Sequence, residues 1–125
     1  MSREYKVCEM LILKHKQLDV YVVSRELVIQ SYSLTNRFPT SENFGLAMQI
    51  RRAANSVKLN IAEGASRKSP AERRRFFEIS RSSLIEVDAG FETAVDLKYI
   101  HQDELKQLNA LLNRGFGMLS KMVVE

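Results

Sequence analysis

Residues 45–64 read GLAMQIRRAANSVKLNIAEG, a run without proline that follows a helical repeat. With Ile50 set at the front and ~100° added per residue, Leu46, Ile50, Ala53, Ala54, Val57 and Ile61 gather on one face. That face is a core stripe. Gln49, Ser56, Asn60 and Glu63 line one flank, Arg51 and Lys58 the other, and Arg52 points backwards with Met48 and Leu59 beside it. A surface helix needs one apolar stripe and a solvated back. The polar line, the arginines and the second apolar pair exceed that need, so function is sought there.

Upstream, Val20, Val23, Ser24, Leu27, Ser31 and Leu34 recur at threes and fours across residues 18–36 and predict a first helix. Arg37-Phe38-Pro39 ends it, because proline cannot continue the ladder and pushes Phe38 out of the α region. Thr40 or Ser41 is placed to cap the second helix, which Gly64 stops near Ala65. Ser69-Pro70-Ala71-Glu72 starts the third: a cap, proline at the first helical position, and the glutamate of a capping box. That helix buries Phe76, Ser80, Ser83, Leu84, Val87, Phe91 and Ala94, with Phe77 at the border, and ends between Lys98 and Ile100. Asp103 caps the fourth, whose core positions are Leu105, Leu108, Leu112, Phe116, Leu119 and Val123. Gly115 and Gly117 within it mark close packing or a bend.

Four helices joined by short turns predict an all-α, antiparallel up-and-down four-helix bundle over residues 17–125, preceded by an extension, residues 1–16. The 125-residue length suits one domain with its own core. The VCEMLIL run at 7–13 is interrupted by Glu9 and is too short for a membrane span or a secretory signal. Lys14, His15 and Lys16 read as a solvated linker, and the lone Cys8 has no partner for a disulfide. A cytoplasmic protein without membrane contact is expected.

Charge is unevenly spread. Residues 51–81 hold nine bases (Arg51, Arg52, Lys58, Arg67, Lys68, Arg73, Arg74, Arg75, Arg81) against three acids, a local net of +6 that leaves the remainder at −2. The second and third helices should meet across the turn at 65–69, building a cationic corner from the bases between Lys58 and Arg81. The third helix carries Arg74 and Arg81 early and Asp88, Glu92 and Asp96 late, the reverse of what the helix macrodipole favours. Opposite charge at its two ends suits head-to-tail packing of copies, with Met48, Leu59, Ile85, Asp88, Glu92 and Asp96 as candidate interface residues.

Enzyme chemistry finds little support. The two histidines lack the glutamate spacing of di-iron bundles, and there is no phosphate loop, His-Glu-x-x-His or nucleophile elbow. The arginine of helical Arg/His ribonucleases is missing too, since Val95 and Asp96 stand where it should precede His101. Asp88, Glu92 and Asp96 lack an oxygen-rich loop and read as a solvated face or subunit contact rather than a metal site. No metal, cofactor or catalytic residue is expected. The line Gln49, Ser56, Asn60, Glu63 reads equally as a buried hydrogen-bond network or a ligand-contacting edge. Polyanion binding by the corner remains, through backbone or shape, because stacking aromatics are scarce.

RRAANSVKLNIAEG at 51–64, with LDVY at 18–21, LTNRFP at 34–39, GLAMQI at 45–50, Arg67, ERRRFFEIS at 72–80, SSLIE at 82–86 and Lys98-Tyr99-Ile100, resembles the four-helix-bundle family encoded in intervening sequences of bacterial 23S ribosomal RNA genes. The likeness spans roughly residues 18–123. It departs at Ser82, commonly glycine in that family, and in a longer N-terminal segment. The resemblance implies a ring, a homopentamer, without established catalysis. It also implies kinship with the accessory variability protein of diversity-generating retroelements, which binds nucleic acid and a reverse transcriptase. Its shared positions here are Arg51, Arg52 and Arg67, with Asn60 and Glu63. The expected function is a non-enzymatic, oligomeric nucleic-acid-binding protein, RNA before DNA. The alternative is an adaptor docking an acidic protein such as a reverse transcriptase.

Overall fold

Where Pro39 breaks the chain, the preceding ring turns inward. α1 (Asp19–Thr35) closes with the Asn36 N–H on the Tyr32 carbonyl at 3.0 Å. Phe38 then enters the core at 5% exposure, edge-on to Phe91 at 6.2 Å and tilted against Tyr99 at 5.7 Å. The computed structural model describes residues 10–124, so Cys8 and the start of the 7–13 apolar run lie outside the described residues.

α2 (Leu46–Ser66) begins later than the hydroxyls of Thr40 and Ser41 imply. A 3-10 turn, Thr40–Glu42, intervenes, and Glu42 takes over the capping: its carboxylate accepts from the Leu46 N–H at 3.1 Å and from the Tyr99 hydroxyl at 2.8 Å. Gly64 does not stop α2 but lies buried within it. α3 (Pro70–Asp96) starts as predicted, with Ser69 Oγ accepting from the Glu72 N–H. It ends in two reverse bonds, Tyr99 N–H to Ala94 O at 2.9 Å and Lys98 N–H to Val95 O at 3.0 Å, with Lys98 left-handed at φ 63. α4 (Lys106–Val124) is introduced by a 3-10 turn, Gln102–Leu105. Its cap is His101 and not Asp103: His101 Nδ1 accepts from the Asp103 N–H, and the Glu104 carboxylate accepts from the His101 N–H.

The helices pack in the order α1–α2–α3–α4 and back to α1, with α2–α3 the most extensive pair. The described residues form an all-α, up-and-down four-helix bundle. Leu27, Ile50, Ala54, Val57, Ile61, Val87, Phe91, Leu108 and Leu119 fill its core at 2% exposure or less, each large side chain contributing about 1.5–3 kcal/mol. Six edges of the predicted stripes move. Phe77, not Phe76, is buried; Phe116 is 42% exposed; and Leu34, Leu46 and Val123 are half-buried, while Ala47 is sealed at 1%. The predicted linker is also partly docked. Lys14–Gln17 forms a 3-10 turn against α1 and α2, and the half-buried His15 ring meets Tyr21 edge-on at 4.8 Å. Burial, then the nearby Lys16 charge, lowers the His15 pKa.

Candidate nucleic-acid interface

Up-and-down topology collects the start of α1, the end of α2, the start of α3 and the end of α4 at one end of the bundle. Lys14, Lys16, Arg67, Lys68, Arg73, Arg74, Arg75 and Lys121 all belong to those segments, against Asp19, Glu63 and Glu72. Lys14, Lys16 and Lys121 were not among the predicted site residues. The antiparallel topology was the signal that could have found them, since it fixes which chain ends are neighbours.

Each cation is held differently. Arg67 pairs with Glu63 at 2.9 Å, one turn back on α2, and its guanidinium lies 4.9 Å from the centre of the half-buried Phe76 ring. Arg73 donates to the Lys68 carbonyl at 3.1 Å, which braces the α2–α3 turn. Arg74 is half-buried, while Lys68, Arg73 and Arg75 are exposed. Phe77 is buried and Phe76 lies beneath Arg67, so neither is an open stacking platform.

The other predicted cations lie elsewhere. Lys58 sits about 12 Å of helix back from the end of α2 and is half-buried. Arg81 bridges α3 to α4, donating to Ser120 Oγ at 3.4 Å with its guanidinium 5.8 Å from the centre of the Phe116 ring. Arg51 lies about 24 Å of helix from Arg67. Its Nε donates to Thr35 Oγ1 at 2.9 Å and its Nη2 to Asn36 Oδ1 at 2.8 Å, with the guanidinium over Tyr32. Arg51 therefore clamps the end of α1 to α2. Exposed Arg52 borders a cavity of about 530 Å³ on the outer side of α2, shared with Tyr32, Met48, Asn55 and Leu59.

The polar line divides in the same way. Asn60 Nδ2 donates to the Ser56 carbonyl and to Ser56 Oγ, and the Ser83 hydroxyl donates to Ser56 Oγ at 2.8 Å. Ser80 adds a buried 2.7 Å bond to the Val57 carbonyl. These short side chains let α2 and α3 approach closely while satisfying every hydroxyl in the seam. Glu63 instead serves Arg67, and Gln49 is exposed beside the α2–α3 groove. Leu59 and Ile85 are 58% and 55% exposed, and Met48 is half-buried. Asp88, Glu92 and Asp96 are exposed along α3. Among the described residues, no group of three or more His, Cys, Asp or Glu is placed to hold a metal ion, and no helix is long and apolar enough to cross a membrane.

The family of 23S rRNA-intervening sequence proteins matches residues 16–121, nearly the whole bundle. The chain belongs to this family. A solved structure with the same architecture is a protein of unknown function from the S23 ribosomal protein family of Bacteroides thetaiotaomicron VPI-5482. It is 20% identical, with a TM-score of 0.76, over 83% of this chain and 97% of that one. At that identity the likeness speaks for the fold. A comparison with curated protein sequences finds no match. Within the family match fall all the predicted cations from Arg51 to Arg81, together with Lys16 and Lys121; Lys14 precedes it.

Proposed function

We propose that this family member is a non-enzymatic, homo-oligomeric nucleic-acid-binding protein of the cytoplasm, whose cationic end holds the backbone of structured RNA in preference to DNA. The observation that carries this reading is the gathering of eight lysines and arginines at one end of the bundle. Five or six phosphate contacts there give micromolar-class affinity with little sequence preference. Among the described residues of that end, Phe77 is buried and Phe76 lies beneath Arg67, so recognition runs through backbone and shape. The oligomer is a ring, with a pentamer implied by the family resemblance, and exposed Leu59 and Ile85 are suited to subunit contact.

A gel-shift assay with a structured RNA at low salt tests the site. Wild type shifts the RNA, and the combined Arg73→Glu, Arg74→Glu, Arg75→Glu variant does not. Equal binding by that variant, with its helix content intact, rules the site out. The second reading is an adaptor for an acidic protein, such as a reverse transcriptase, and the covered Phe76 and Phe77 rings at the cationic end favour it. Capture of one protein after nuclease treatment, with no RNA recovered, would select that reading.

A further inference from the structure

Just before α1, four consecutive apolar residues face solvent: Met10, Leu11, Ile12 and Leu13 are 80%, 63%, 94% and 44% exposed. They follow no helical pattern, and Lys16 Nζ donates to the Leu11 carbonyl, which fixes how the stretch leaves the bundle. A contiguous apolar patch of this kind marks a contact surface. We propose that residues 10–13 are an arm that docks in the α3–α4 groove of a second copy of this chain.

Chemistry selects that groove. It is a cavity of about 240 Å³ whose apolar lining is Leu84, Ile85, Leu112 and Phe116. Asp88 stands on its wall, and Glu92 follows one turn along α3, so the negative flank suits the lysines at 14 and 16 that trail the arm. Asn109 and Asn113 also line it and offer side-chain amides to the arm's backbone. The alternatives fit less well. The cavity outside α2 is cationic, with Arg51 and Arg52, and would repel the arm's lysines. The α1–α4 groove is lined mainly by polar and charged groups, including Gln30, Asp103, Glu104 and Lys106.

The arm cannot fill its own groove. The turn at Lys14–Gln17 is packed on α1 and α2, whereas the groove opens between α3 and α4. Four extended residues reach only about 13 Å. Docking must therefore pass from copy to copy, a heterologous contact that closes into a ring or runs on as a filament. This inference rests on the oligomeric part of the function proposed above, and it shares Lys14 and Lys16 with the cationic end.

Sedimentation velocity on the full chain and on Ile12→Glu tests it. Ile12 is too exposed for the substitution to unfold the bundle. The assembly constant is expected to weaken at least tenfold while helix content and RNA binding by the isolated subunit persist. Asp88→Lys should weaken assembly similarly, and Lys14→Glu in the same chain should restore it. Unchanged assembly of Ile12→Glu overturns the arm and leaves the oligomer standing. A wild-type monomer at micromolar concentration overturns both. Should Ile12→Glu assemble normally yet lose binding to vesicles of anionic phospholipid, the arm belongs to a membrane surface and the proposal falls. In a Cys8→Ser background, Ile12→Cys with Asn113→Cys should cross-link between chains on oxidation; intact assemblies that stay uncross-linked refute the groove.

Discussion

Gly64 and Phe77 are explained by each other. A Cβ at Gly64 would lie 2.6 Å from Phe77 Cε1 and 3.1 Å from the Phe76 Cβ, so the bare glycine makes room for the buried ring. Gly117 is the opposite case, with nothing within 4 Å of an added Cβ. Gly64→Ala should therefore destabilise the bundle by about 1–3 kcal/mol. Gly117→Ala should stabilise it by about 0.5–1 kcal/mol, because alanine is the better helix former. Urea unfolding of the two variants checks both signs, and a neutral Gly64→Ala would disprove the packing argument. This pair also shows why one position of the core was illegible. Phe76 and Phe77 both fall within the stripe that runs through Ser80 and Leu84, and periodicity on α3 alone cannot choose between them. The choice is made by a missing side chain on α2, which the sequence presents in the form of a stop signal.

Among the elements, existence and order were readable, while starts were read least well. Pro39, and Ser69 with Pro70, placed the helix boundaries they mark because breakers and caps act locally. The start of α2 was hidden because its cap arrives with help from elsewhere. Glu42 reaches forward to Leu46 but is steadied by Tyr99, 57 residues away in sequence. That cap has a pH signature. The Leu46 N–H, then the Tyr99 hydroxyl, hold Glu42 below the ordinary value of 4.5, outweighing its desolvation. Glu104 is lowered as well, first by the His101 N–H and then by Arg37. In both cases the unfolded chain takes up protons more readily than the folded one. Their stabilisation is therefore complete above about pH 4.5 and is lost as pH falls through the lower folded values. Thermal melting should show Glu42→Gln losing less stability than wild type between pH 6 and pH 3. An equal loss would remove Glu42 from the acid response.

Across the whole molecule, the +6 block separates into several places that a linear count cannot resolve. Arg67 to Arg75 meet Lys14, Lys16 and Lys121 at the bundle end, whereas Arg51 is spent clamping α1 and Arg81 bridges to α4. The sequence showed that a cationic corner should exist, since adjacent antiparallel helices share a turn. Its full membership depends on all four helices and on the docked 3-10 turn at residues 14–17. The polar line was legible only as a line, because Ser83, the hydroxyl that donates to Ser56, stands on another helix. If the cationic end binds phosphate backbone, each contact releases counterions. Fluorescence anisotropy with a labelled structured RNA over a range of salt concentrations measures this directly. Five or six contacts predict a straight line of log affinity against log salt with a slope of about −4.5 to −5.5. A slope near zero, or no binding at the lowest salt, would contradict a polyanion site at this end of the bundle.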